Sequence, residues 1–248
     1  MRHRLRNTIL FTLFAGAAFA QDSAQLSPKR EVMLGESMVA TIRSQQPMVT
    51  DGEVTVFVGR ILDRLSRNER LRLPIKISLI DNSDLIASAL PGGNLVLSSG
   101  AILRADSEAE VAGLLSHALG HAQAGQFYTS NATIPTVFVG DRWGTCRRTS
   151  GGALMPLGTR EQSSLFEAQA DMLGLGYITN AGYDPQALVS VFDHWTGKFA
   201  PADDTKTRAL ALRNVAANQI ENTSDFDRIK ARLTPPKEAP RRAPTLVK

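Results

Sequence analysis

Apolar residues recur along the chain with two different periods, and the switch between them outlines the fold. Val54, Phe57, Val58, Ile61, Leu62 and Leu65 fall at helical spacing, a stripe that turns a helix from Val54 to Leu65 toward a core. Ile75-Lys76-Ile77-Ser78-Leu79-Ile80 alternates instead, as a half-buried strand does. Two more strand-like runs, Leu85 to Leu90 and Asn94 to Ser98, meet at Pro91-Gly92-Gly93, residues that break a ladder and suit a turn. Before this β segment, Ser27-Pro28 opens a helix running into the forties, with Pro28 at the first helical position where its missing N–H costs nothing. After it come a long helix from Ser107 to about Gln123, a Gly/Ser/Thr-rich stretch to Thr159, and a helix from about Arg160 to Thr179. Gly182 ends that helix, Asp184-Pro185 caps the next, and the last helix covers roughly Thr205 to Gln219. The pattern predicts a predominantly helical α+β fold around a short sheet, with no internal repeat and no second domain.

Composition narrows the chemistry. The 248 residues suffice for one sizeable core. The single cysteine, Cys146, excludes a disulfide scaffold and any Cys-rich metal cluster, so a metal must take its ligands from His and carboxylates. The net charge of +4 does not signal nucleic acid. Three of the 28 basic residues, Arg2, Arg4 and Arg6, sit in the first twenty positions with no acid, which leaves 25 bases against 24 acids. The tail beyond Thr234 adds Lys237, Arg241, Arg242 and Lys248 against Glu238, so the body is slightly acidic and presents no basic face.

The first twenty residues read as a secretory signal. A basic n-region precedes an apolar run of about twelve residues, well short of the ~20 that span a bilayer. Ala18-Phe19-Ala20 then offers small residues for cleavage before Gln21. The expected mature protein is an exported domain over residues 21–234 with no integral membrane span. Pro235, Pro236, Pro240 and Pro244 predict a disordered tail over 235–248.

The residues that carry chemistry lie on the two long helices. Ser107 and Glu110 form a capping-box pattern at the start of the first. Further along, His117 and His121 stand four apart in Ser116-His117-Ala118-Leu119-Gly120-His121. That spacing projects both imidazoles from one face on successive turns, where two neutral nitrogens can share one tetrahedral Zn²⁺. Such sites draw a third ligand from elsewhere. Glu167, 46 residues after His121, is the candidate, and Asp171 one turn on can orient a ligand histidine through its other N–H. A bare HxxxH is common, and a lone Glu-x-x-x-Asp is usually a solvated face. Together, in a chain whose only other histidines are His3 and His194, they favour a centre for one zinc ion. Spacing alone names no reaction.

Longer stretches carry a resemblance. Leu85-Ile86-Ala87-Ser88-Ala89-Leu90-Pro91-Gly92-Gly93-Asn94-Leu95-Val96, Gly100-Ala101-Ile102-Leu103 and Asp106-Ser107-Glu108-Ala109-Glu110-Val111-Ala112-Gly113 lead into the histidines. Glu167-Ala168-Gln169-Ala170-Asp171 and Ala181-Gly182-Tyr183-Asp184-Pro185 follow. In order and spacing this resembles the gluzincin zinc metallopeptidases, the family that includes BepA, HtpX and the CAAX prenyl endopeptidases, from about Leu26 to Asn218. The resemblance implies a zincin-like fold, zinc on His117, His121 and Glu167, and Asp171 behind them. It also implies that the strand end Ala89-Leu90-Pro91-Gly92 borders a cleft where unfolded or extended polypeptide clients pair with its edge.

Two departures from the family pattern bear on activity. The motif is His-Glu-x-x-His, and Ala118 occupies the Glu position. That Glu takes a proton from the attacking water and passes it to the leaving amine, help worth about 10²–10⁴-fold. Family members also carry a His six residues before an Arg that opens the last helix. Arg208 matches that Arg, a transition-state stabiliser by resemblance, but Ala202 stands six residues before it. The sequence therefore predicts a zinc-binding protein with impaired peptide hydrolysis. Two alternatives stay open: an active endopeptidase using another base, Asp141 being the only acid between 126 and 159, or a Glu→Ala change made to silence an enzyme.

Overall fold

The computed structural model describes residues 27–84, 86–125, 137–139, 160–195 and 220–234. Helix α1 (Pro28–Gln45) begins as expected with Pro28 in its first turn, although the Ser27 side chain makes no cap. Helix α2 (Gly52–Ser66) starts at Asp51, whose carboxylate accepts the N–H groups of Glu53 and Val54 at 2.9 and 3.2 Å. It buries all six residues of the apolar stripe. Strands β1 (Lys76–Ile80), β2 (Ala87–Leu90) and β3 (Asn94–Ser98) follow, then helix α3 (Ser99–Arg104) and the long helix α4 (Glu108–Ala124). Strand β4 (Val137–Val139), helix α5 (Arg160–Asn180), helix α6 (Gln186–Trp195) and helix α7 (Phe226–Leu233) complete the described elements. This is the predominantly helical α+β arrangement that the periodicity predicts. No helix among the described residues is long and apolar enough to cross a membrane.

The sheet runs in the order β1-β3-β2-β4, with β1 parallel to β3 and β2 antiparallel to both its neighbours. Both faces are covered. Ile80, Leu90 and Val96 pack with Val39 of α1 on one side, while Leu79, Ala87 and Leu97 join the main core with α2 and α4 on the other. That corrects the expectation for β1: Ser78, Leu79 and Ile80 are buried in succession rather than alternating with exposed positions, because a sheet sandwiched by helices has no wet face.

Between β2 and β3, Pro91-Gly92-Gly93 forms a single 3₁₀ turn in which both glycines take φ of +76°, a left-handed conformation that costs other residues a Cβ clash. The turn is held from outside. The buried Glu31 carboxylate of α1 accepts the Gly92 N–H at 3.0 Å and binds Arg72 at 2.6 and 2.7 Å. The Arg72 backbone N–H in turn donates to Gln123 near the end of α4 at 2.8 Å. One ion pair thus ties the end of the edge region, the first helix and the histidine-bearing helix together.

Helices α3 and α7 escape the sequence reading. Helix α3 has six residues, too few for a period to show. Helix α7 buries only Phe226 and Ile229 within a charged segment, which reads as solvated chain. The secretory signal over 1–20, the 205–219 helix and the 235–248 tail lie outside the described residues.

Candidate metal centre

Helix α4 is buried along its whole length from Glu108 to Ala122, so it runs through the middle of the domain. Ser107 caps it, its hydroxyl accepting the Glu110 N–H at 3.2 Å. The reciprocal half of the capping box is shifted by one residue. Glu110 accepts from the Asp106 N–H at 2.8 Å rather than from Ser107, and its other oxygen accepts the Ser190 hydroxyl at 3.0 Å. Glu108 accepts the Tyr183 hydroxyl at 2.7 Å, the Thr223 N–H at 3.2 Å and the Thr223 hydroxyl. The buried Tyr183 therefore packs in the core and also stabilises a buried carboxylate.

Two turns on, the helix presents His117 and His121 to α5. Their rings stand nearly perpendicular at 85°, and their Nε2 atoms are 3.1 Å apart. Glu167 Oε2 lies 3.4 Å from Nε2 of His117 and 3.5 Å from Nε2 of His121. Three ligand atoms at 2.0–2.1 Å from one tetrahedral Zn²⁺ are spaced by about 3.3 Å, so the three observed separations are compatible with one such ion. On the far side of the His117 ring, Nδ1 is 3.0 Å from Asp171 Oδ1. A proton on Nδ1 donated to that carboxylate leaves the Nε2 lone pair for a metal. His117, His121 and Asp171 are buried, whereas the Glu167 side chain is 26% exposed.

The electrostatics fit a site built around positive charge. Burial works against a charged His117, yet its hydrogen bonds to Asp171 and Glu167 outweigh burial and push its pKa up to about 9. Burial likewise disfavours ionised Glu167, but the two histidines prevail and hold its carboxyl well below the usual range. In the metal-free protein a proton occupies the charge position that a divalent cation fills.

What brings the helices close enough is a glycine. A Cβ on Gly120 of α4 would fall 2.4 Å from the Ala170 carbonyl oxygen of α5 and 2.9 Å from its Cα. Backbone cannot swing aside as a side chain can. Gly120→Ala gains about 1 kcal/mol of helix propensity, but overpacking costs about 1–3 kcal/mol and forces α5 back, carrying Glu167 from the histidines. The expected result is a loss of about 10–100-fold in zinc affinity, the size seen when an orienting group is removed, measured by titration calorimetry.

Ala118 is buried and shares a small apolar cluster with Ala122 of α4, Leu62 of α2, Leu95 of β3 and Ala89 of β2. The methyl at the family's Glu position thus faces the sheet. The edge expected at Ala89-Leu90-Pro91-Gly92 is not open along its length. All four residues are buried, and β4 pairs with β2 in the register Ala87–Val139, Ser88–Phe138 and Ala89–Val137. This strand is not legible in the residue pattern, because three residues are too few to show alternation. Arg208, Ala202 and Asp141 lie outside the described residues.

Comparison with known proteins agrees with this geometry. The β-barrel assembly-enhancing protease of Escherichia coli K12 is 25% identical over 280 aligned positions covering 94% of this chain. Its counterpart in Yersinia pestis is 27% identical over 183 positions covering 66%. The chain spans 58% of the length of the first of these relatives and 37% of the second. The model of peptidase family M48 matches residues 55–226, from the second helix through both ligand-bearing helices to the start of the last. A zinc-shaped triad on two close helices, inside a match of that extent, places the chain in peptidase family M48.

Proposed function

We propose that this is an exported zinc-binding member of the family in which peptide hydrolysis is impaired while the metal site and a cleft for extended polypeptides are kept. His117, His121 and Glu167 hold the ion, and Asp171 orients His117. When bound, zinc supplies Lewis-acid polarisation of a scissile carbonyl. The observation that carries the reading is three convergent ligands with alanine, not a carboxylate, at position 118 next to His117. A methyl accepts no proton, and the nearest acids on α4 are committed: Glu110 to Asp106 and Ser190, Glu108 to Tyr183 and Thr223.

Export rests on the signal-like first twenty residues, and N-terminal sequencing of the exported protein should begin at Gln21. The clients are unfolded or extended polypeptides. Relatives named for enhancing β-barrel assembly favour clients whose strand edges are still unpaired, the groups most in need of a partner. The test pairs metal content with capture. Purified protein should carry close to one zinc per chain and retain unfolded casein without cutting it. Rapid casein cleavage by the unaltered protein overturns the impairment; absence of zinc overturns the site.

A further inference from the structure

We propose that β4 is a built-in competitor for the polypeptide edge: the chain's own Val137–Val139 fills the antiparallel position on β2 that an extended client takes. The inference rests on the reading of β2 as the client-binding edge, and it adds that this edge is blocked in the resting molecule.

Ladder geometry shows which groups are blocked. The Ser98 N–H donates to the Ile86 carbonyl at 2.9 Å, so Ile86 and Ser98 form a hydrogen-bonded pair. Such pairs alternate along an antiparallel ladder. Ser88 and Leu90, in register with Val96 and Asn94, therefore also turn their backbone groups to β3. Ala87 and Ala89 turn theirs the other way, and the residues opposite them are Val139 and Val137. Ala89 belongs to the apolar cluster that contains Ala118, so the blocked groups border the position of the missing carboxylate. They are the donors and acceptors a client would use there.

The occupant is suited to leaving. A three-residue pairing is short even among edge strands, and Pro135 has no amide hydrogen with which to lengthen it. Covalent attachment makes up for the shortness: β4 lies in the connection between His121 and Glu167, so its local concentration at the edge is high. A client strand must be longer or better matched to displace it, which selects against short peptides.

The test uses the zinc-loaded full chain and a fluorescein-labelled synthetic peptide with the sequence of residues 136–141. Val137→Pro with Val139→Pro removes the two amide hydrogens that face β2 and leaves β2 untouched. The double variant should bind the peptide about tenfold or more tightly than the unaltered protein, since the competent fraction rises accordingly. The same peptide N-methylated at both valines should not bind it. Replacing residues 136–140 by a glycine-serine linker repeats the comparison if the prolines lower zinc content. Equal binding by the unaltered and released proteins overturns the competitor and leaves the client edge standing. No binding by either overturns the client edge and this inference with it.

Discussion

Ala118→Glu should raise cleavage of unfolded casein by about 10²–10⁴-fold over the unaltered protein, the worth of general acid–base help in a proton-transfer step. The position is one residue after His117 and its Cβ faces β2 through the cluster with Ala89 and Leu95, so a carboxylate there stands between the ligand triad and the sheet edge. Those neighbours are apolar. They disfavour the charged form and move the new carboxyl toward neutral pH, which suits a group that must both accept and return a proton. The same burial carries a cost. A carboxylate without a full set of partners costs about 1–3 kcal/mol or more, so the variant should melt at a lower temperature while gaining activity. A gain in rate together with a loss of stability separates restored chemistry from a general improvement in folding. If Ala118→Glu holds zinc, captures casein and still does not cut, the missing proton carrier is not what limits this protein.

The residues that made the site legible in sequence act through helix geometry alone. Four-residue spacing fixes which side chains share a face, His117 with His121 and Glu167 with Asp171, whereas the approach of the two faces is seen only in the structure. The stripe of α2 was legible for the same reason. What stayed hidden depends on contacts between distant segments. The continuous burial of Ser78 to Ile80 follows from helices on both sides of the sheet, a fact no local pattern contains. The commitment of Glu108 to Tyr183 and Thr223 spans 75 and 115 positions of sequence. The pairing of β4 with β2 joins two short segments separated in sequence by β3, α3 and α4. The need for glycine at position 120 is of the same kind, since only the approach of Ala170 leaves a methyl there no room.

Zinc binding should strengthen as the pH rises toward 9, and the reason is competition with a proton. Metal takes only the neutral imidazole, whereas the Asp171 and Glu167 carboxylates, overriding burial, keep His117 charged in the metal-free protein up to about pH 9. Below that pH zinc must displace the one proton held by His117, and apparent affinity falls about tenfold per pH unit. Above it the dependence levels off. His117→Ala removes a ligand and should abolish stoichiometric binding at every pH. Asp171→Asn is the more informative change, since it removes a partner that acts in two opposing ways. With a metal bound, loss of the orienting carboxylate weakens binding by about 10–100-fold. Without one, the charged imidazole loses the same stabilisation, so its pKa drops and the proton competes less. The penalty of Asp171→Asn should therefore be large at pH 9 and smaller at pH 7, giving a flatter affinity curve than that of the unaltered protein. Zinc titrations with a chromophoric chelator across that range measure both curves. Parallel curves would mean that Asp171 only packs against His117 and does not set its proton.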